Sequence, residues 1–247
     1  MILFLHKVRQ KVLSNKRFTT YIVYAIGEII LVVIGILIAV YFNNLNTQNK
    51  LDEKERLSLQ RLKEDLKNDM DRYDFLKSDL EMRFNRCDSV QKVFQSDLSQ
   101  EEKISTISVP LIFFYLVEAN TTTYNEMINT GRLYAMNDKN LRSQIIKYYS
   151  NVTKWGKYIE KQNQQVRRLM VHPVYNDLWT IQDKVINNST IEMEKYDWLN
   201  DSYSKKMKDI EALVVRAKKM YRSNFSEISF LKERCNYLLE LLEKKGY

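Results

Sequence analysis

The sequence contains few of the residues that interrupt helices. There are only five glycines and two prolines among 247 residues, and the interior of the chain, residues 36–245, holds four of them: Pro110, Gly131, Gly156 and Pro173. Because turns depend on these residue types, the chain is predicted to be all-α, with long helices joined by few turns. Aromatic residues are not scarce, and sixteen tyrosines and ten phenylalanines exclude a disordered chain.

Residues that carry catalysis or bind metals are also few. The two histidines are His6 and His172, and the sequence has no Cys/His spacing typical of a metal site, no glycine-rich phosphate loop and no recognisable nucleophile motif. Adjacent acids such as Glu64 and Asp65 are typical of the solvated face of a helix. We therefore expect a protein that is not an enzyme and has no metal site or cofactor.

The chain has two cysteines, Cys87 and Cys235, and both fall on apolar stripes of predicted helices. In an oxidising compartment they could form a disulfide between the first and last helices of the domain. Alternatively, both are buried and unpaired, since a free cysteine behaves as a small apolar residue. The sequence leaves both possibilities open.

Acidic residues are absent from the first 20 residues, which carry five bases: Lys7, Arg9, Lys11, Lys16 and Arg17. The rest of the formal charge of +8 is spread thinly over the chain. Nucleic-acid binding requires a concentrated basic patch on a recognisable module, and the sequence has neither, so we expect no nucleic-acid partner.

The longest apolar stretch is residues 21–42, and its only charged residue is Glu28. A bilayer core of ~30 Å needs ~20 apolar residues in a helix, and aromatic residues mark both ends of the stretch, as at membrane interfaces. A cleaved signal peptide is disfavoured, because the stretch is too long, contains an acid and lacks a small-residue cleavage site. We predict a retained transmembrane helix at 21–42.

The basic head, residues 1–20, favours a cytoplasmic N-terminus, which places residues 43–247 in the periplasm of a bacterium with an inner membrane. Leu5, Val8 and Val12 share one helical face, so the head is predicted either to lie on the inner leaflet as an interfacial helix or to act only as a charged topology signal.

Beyond the span, apolar residues recur at alternating steps of three and four, the spacing of amphipathic and coiled-coil helices. We predict a stalk at about 43–98 and an antiparallel bundle at about 108–245, in which the first and last helices pair. The run at residues 111–117 is apolar throughout and follows Pro110, so it is predicted to be a core helix, with a partner-binding or membrane-contacting patch as the alternative.

Two segments resemble an uncharacterised family of bacteroidete single-pass membrane proteins. The first is Gly27-Glu28-Ile29 followed by the run LVVIGILIA at residues 31–39; the second comprises Tyr124, Met127, Thr130, Gly131, Leu133, Met136, Leu141 and Arg142. The resemblance implies an inner-membrane protein with a helical periplasmic domain and implies no activity. Leu45 stands where the family pattern has a tryptophan, so the resemblance does not imply an aromatic anchor there.

Glu28 is the residue whose position most requires a functional explanation. It shares one helical face with the mostly small residues Ala25, Val32, Gly35 and Ala39, and such faces let transmembrane helices approach closely. An acid in a membrane span must be paired, protonated or hydrated.

We therefore expect a membrane-anchored helical scaffold or interaction protein whose partners are the lipid bilayer and a second copy or another membrane protein. The alternative is an ion- or proton-coupled component using Glu28, similar to the single-pass subunit of proton-driven stator complexes.

Overall fold

The computed structural model describes residues 16–94, 96–108 and 112–247, and the described residues are helical without a strand, which confirms the all-α prediction. The helices are α1 (Lys16–Phe94), α2 (Gln100–Ile107), α3 (Thr122–Asn129), α4 (Arg132–Ala135), α5 (Lys139–Leu169), α6 (Val174–Ile186), a 3₁₀ helix (Met193–Asn200) and α7 (Lys205–Lys244). The interfacial helix predicted for the head falls largely on residues 1–15, outside the described residues.

The chain divides into two compact units, one up to Leu57 and one from Ser58 to Tyr247. In the first unit, α1 carries the apolar stretch. Among the described residues it is the one helix long and apolar enough to cross a membrane: its most apolar window of 18 residues has a mean hydropathy of 2.8, and none of that window is buried.

The second unit is built on three long helices, α5, α7 and the part of α1 that begins at Ser58. α1 and α7 run antiparallel, as three ion pairs between them demonstrate: Lys63–Glu243, Asp74–Lys232 and Asp88–Lys218. α5 and α7 are also antiparallel, with contacts at Asp138–Lys245, Trp155–Phe230 and Asn163–Asn224. The predicted pairing of the first and last helices of the domain is confirmed.

The apolar stripe of α1 lies inside this bundle. From Leu59 to Phe94 its members are at most 9% exposed: Leu59, Leu62, Leu66, Tyr73, Leu76, Leu80, Cys87, Val90, Val93 and Phe94. The prediction of a stalk at 43–98 is therefore wrong from Ser58 onward, because this segment buries its stripe against α5 and α7 instead of standing alone. The bundle begins about fifty residues earlier than the sequence pattern indicated.

Two of the short connections between helices adopt the conformation that their residue types favour. Gly131, between α3 and α4, has a φ of 72°, a left-handed conformation that glycine adopts without the steric cost of a Cβ. Asp138 caps α5 by accepting a hydrogen bond from the Leu141 N–H at 2.9 Å. These turns bring α3 and α4 against α1 and α5.

The predicted core helix at residues 111–117 does not form. Residues 112–121, which we call the strap, have no helical structure, and the structure does not describe residues 109–111. Val117 is buried, whereas Phe113 and Leu116 are 44% and 58% exposed. An apolar run without periodicity fits a buried helix and an extended segment equally well, so the pattern could not distinguish them.

The backbone of the strap is held by side chains of the long helices. The Tyr221 hydroxyl accepts a hydrogen bond from the Phe113 N–H at 2.8 Å, and Asn163 donates to the Tyr115 carbonyl at 3.0 Å. Arg72 donates to the Leu116 carbonyl at 3.2 Å. Since backbone groups outside a helix or sheet need other partners, these bonds replace the ladder that a helix would have supplied.

The strap passes close to α5 at Gly156. A Cβ built on Gly156 would lie 2.8 Å from the carbonyl oxygen of Val117, which is too close for van der Waals contact. Glycine is therefore required in the middle of a 31-residue helix, where it is otherwise unfavourable by about 1 kcal/mol relative to alanine.

We expect Gly156→Ala to destabilise the bundle by about 1–3 kcal/mol, because the new methyl group must displace the strap backbone. Alanine favours helix over glycine, so without this contact the substitution would be stabilising, and the sign of the change is decisive. The free energy of unfolding from urea titration measures it, with the exposed neighbour Lys157→Ala as the control. A stabilised Gly156→Ala protein would show that the strap does not approach α5 in solution.

Candidate functional site

The face that contains Glu28 is presented by α1 in the first unit. Because these residues are helical, the three- and four-residue spacing places Glu28 with Val32, Gly35 and Ala39 on one side. Glu28, Val32 and Ala39 are exposed, Ala25 is half-buried, and a Cβ added at Gly35 would meet nothing within 4 Å. The face has no partner in the described part of one chain.

The described residues contain no group of three or more histidine, cysteine, aspartate or glutamate side chains placed to hold a metal ion. His172 has a local role, since its Nδ1 accepts a hydrogen bond from the Val174 N–H at 3.4 Å, at the first residue of α6. His6 lies outside the described residues.

The two cysteines are buried and free. Cys235 donates a hydrogen bond to the Leu66 carbonyl at 3.2 Å, and Cys87 lies 21 residues further along α1, about 30 Å away at 1.5 Å per residue. A disulfide requires Cα atoms within about 7 Å. Of the two possibilities that the sequence leaves open, the structure therefore has two buried, unpaired cysteines, because the antiparallel register of α1 and α7 places Cys87 near Lys218 rather than near Cys235.

A cluster of polar side chains anchors the other end of the strap, and its centre is Asp69. One oxygen of Asp69 accepts the Asn120 N–H at 2.8 Å and the other accepts the Tyr148 hydroxyl at 2.7 Å. The hydroxyls of Tyr148 and Tyr73 are 3.1 Å apart. Since Tyr148 gives its proton to Asp69, Tyr73 donates to Tyr148.

Asp69 is only 3% exposed, and burial raises its pKa, opposed by the hydrogen bonds from Tyr148 and Asn120. The neighbouring carboxylate of Asp65 accepts hydrogen bonds from the Asn120 side chain at 2.7 Å and from the Thr123 N–H at 3.2 Å. Both acids thus hold the residues where the strap enters α3. Asp69 was not singled out from the sequence, although an acid at a core position of an otherwise apolar stripe was the available signal.

A second polar cluster holds the middle of the strap. Arg83 donates to Asp79 at 2.6 Å and to the Tyr115 hydroxyl at 2.7 Å, and Tyr115 also donates to Asp79. The Arg83 guanidinium stacks 3.7 Å from the centre of the Phe113 ring, a cation–π arrangement. This cluster fixes two strap side chains to one turn of α1.

The second segment of the family resemblance forms the α3–α4 corner. Met127, Leu133, Met136 and Leu141 are core residues, each at most 3% exposed. Glu126, which the pattern did not single out, ion-pairs with Arg61 at 2.9 Å and with Arg132 at 2.8 Å. The block therefore packs the corner onto α1.

We expect both thiols to resist maleimide at neutral pH and to react in denaturant. The thiolate is the reactive form, and burial raises the pKa of the Cys87 and Cys235 thiols to about 12 each. Mass spectrometry after timed labelling measures this. On a non-reducing gel, wild type and Cys87→Ser should migrate alike. A shift of the wild type alone on reduction would show that Cys87 and Cys235 do form a disulfide.

We expect Asp69→Leu to lower the free energy of unfolding by about 3 kcal/mol, because it leaves the Tyr148 hydroxyl and the Asn120 N–H buried without an acceptor. Asp71→Leu, which removes the same charge from an exposed position of α1, is the control. Equal effects in urea titration would contradict the anchoring role of Asp69.

The contribution of Asp69 to stability depends on pH, in the sense set by the direction of its pKa shift. Its pKa is higher in the folded chain than in the unfolded chain, so its contribution to stability increases as the pH falls through the folded pKa. Relative to Asp69→Asn, wild type should gain stability between about pH 7 and about pH 4. A difference independent of pH would contradict the raised pKa.

Comparison with known proteins identifies one match. A family model described as "Family of unknown function (DUF6090)" matches residues 28–214, from Glu28 in the apolar span to Val214 in α7. No curated protein and no solved structure matches the chain. Since the matched region covers about three quarters of the sequence, the chain belongs to the DUF6090 family of unknown function.

Proposed function

We propose that this protein is a membrane-anchored helical scaffold without catalytic activity, which assembles through the face of α1 that contains Glu28. The observation that carries the proposal is that none of the most apolar helical window is buried within the described part of the chain. Apolar side chains without a protein partner require lipid or another helix around them.

The composition of the face favours a second helix over lipid alone. Gly35 and Ala39 remove bulk from the side of α1 that carries Glu28, and small residues let two membrane helices pack closely. A glutamate in hydrocarbon is costly unless it is hydrated or hydrogen-bonded, and a neighbouring helix supplies a partner for it. Two copies of the same face would bring two Glu28 side chains together, where one protonated carboxyl can donate to the other.

The proposed topology places the N-terminus in the cytoplasm and the bundle in the periplasm of a bacterium with an inner membrane. Five bases and no acid precede the span, and such an excess is retained on the cytoplasmic side. The resemblance of residues 27–39 to bacteroidete membrane proteins supports the same compartment.

Glu28 itself favours a second candidate function, an ion- or proton-coupled membrane component. It lies seven residues inside the apolar stretch, and ionisable residues within spans commonly belong to ion pathways or proton relays. In this alternative the carboxyl exchanges a proton or binds a cation in a complex with another membrane protein.

Substitutions on opposite sides of α1 test the scaffold. We expect Gly35→Leu to weaken self-association about tenfold, corresponding to about 1.4 kcal/mol of lost helix contact. Val33→Leu, which adds bulk on the opposite face, should have no effect. The mass of the complex in neutral detergent, measured by light scattering over a dilution series, gives the association constant. A monomeric wild type, or equal effects of the two substitutions, would contradict the proposal.

Glu28→Gln and Glu28→Ala separate the two candidate functions. In the scaffold, glutamine retains a hydrogen-bonding side chain and assembly, whereas alanine weakens it. Proton flux into liposomes that contain the protein and its co-purifying membrane partners should then be unchanged in both. Loss of a wild-type proton flux in both variants, with assembly intact, would favour the ion-coupled alternative instead.

A further inference from the structure

The second unit contains a cleft that the proposed function does not use. It has a volume of about 570 Å³ and lies between the C-terminal half of α5 and the N-terminal half of α7. Clefts of about 300–1,000 Å³ are the size of small-molecule sites. Nine residues line it: Tyr158, Gln162, Gln165, Val166, Arg168, Leu169, Arg216, Lys219 and Met220.

The lining divides into an apolar part and a basic part. Val166 and Met220 are buried core residues and Leu169 is half-buried, so these three form an apolar floor. Arg168, Arg216 and Lys219 are exposed and line the same cleft. No lining residue is acidic.

The three cations of the cleft have no ion-pair or hydrogen-bond partner within the described part of the chain, whereas their sequence neighbours do. Lys218, next to Lys219, pairs with Asp88 at 2.5 Å. Arg167, next to Arg168, lies 4.0 Å from Glu160. Asp88 and Glu160 therefore pair with cations other than the three that line the cleft.

Helix electrostatics account for only one of these cations. Arg168 is in the last turn of α5, where the carbonyl end of the helix dipole favours a base. Arg216 and Lys219 lie inside α7, far from its C-terminus at Lys244, where the dipole offers no such stabilisation. Like charges gathered around one cleft repel one another, and an anion between them would remove that repulsion.

We infer that the cleft between α5 and α7 binds a small amphiphilic anion, with its phosphate, sulfate or carboxylate group against Arg168, Arg216 and Lys219 and its apolar part on Val166, Leu169 and Met220. Arginine and lysine donors form charge-assisted hydrogen bonds to such groups. Gln162 and Gln165 also line the cleft, and their side-chain amides carry N–H donors, one of which Gln162 gives to the Tyr158 hydroxyl at 2.9 Å. The site stands in the second unit alone and does not depend on how the membrane span assembles.

Phenyl phosphate tests the inference, because it joins a phosphate to an apolar ring. Isothermal titration of the full chain in a neutral detergent should give saturable binding with a dissociation constant on the order of 1 mM, the range expected for a ligand of this size. Inorganic phosphate and phenol should each bind more weakly. Equal affinity for inorganic phosphate would show that the apolar residues do not contribute to binding. Equal affinity for phenol would show that the cations do not bind the anionic group.

A charge-matched pair of variants locates the site. The triple variant Arg168→Gln, Arg216→Gln, Lys219→Gln should bind phenyl phosphate at least about tenfold more weakly, since each lost charge-assisted bond contributes to affinity. The control is Lys139→Gln, Lys147→Gln, Lys244→Gln, which removes three exposed charges from the same two helices outside the cleft. Equal affinities of the two triple variants, with equal thermal unfolding, would overturn the inference.

Reconstitution distinguishes a soluble ligand from a lipid headgroup. The same titration is repeated in nanodiscs of phosphatidylcholine and of phosphatidylcholine mixed with phosphatidylglycerol. Weaker binding of phenyl phosphate in the mixed discs at high salt identifies the anion as a headgroup of the bilayer. Unchanged binding identifies it as a soluble phosphate compound.

Discussion

The organisation of the helical bundle depends on satisfying the backbone of the strap. A segment outside a helix or sheet has no ladder of its own, and each of its N–H or C=O groups that lies unpaired in the interior costs as much as a lost hydrogen bond. In this protein the partners are the side chains of Arg72 in α1, Asn163 in α5 and Tyr221 in α7. Polar residues that would otherwise be unfavourable in a core are therefore required in it.

This constraint explains several exceptions to apolar patterning in the helices. Asp69 interrupts the stripe of α1 because it receives the Asn120 N–H. Asn163 is fully buried in α5 because it donates to the strap, and Asn224 of α7 donates in turn to Asn163. Gly156 leaves room for the Val117 carbonyl. Each residue lowers the stability of an isolated helix, and each is compensated only when the strap is in place.

The units differ in how their apolar surface is used. In the second unit, the apolar stripe of α1 from Leu59 onward is buried within the chain, whereas no residue at 21–42 of the same helix is buried. A sequence pattern distinguishes these cases when it is read for period: alternating steps of three and four predict one buried face, and an apolar stretch without a polar face predicts lipid around the whole helix. The strap has no period either, but at about ten residues it is too short to span a bilayer.

The amino-acid sequence by itself determined the helical class, the extent of the apolar span and the pairing of the first and last bundle helices. These features follow from local propensity and from periodicity along one element. Only the tertiary structure decided that residues 112–121 are not helical, that the bundle begins at Ser58, that Cys87 and Cys235 are far apart, and that three unpaired cations line one cleft. These depend on the register between helices and on hydrogen bonds between residues 40 to 110 positions apart, which no local pattern encodes.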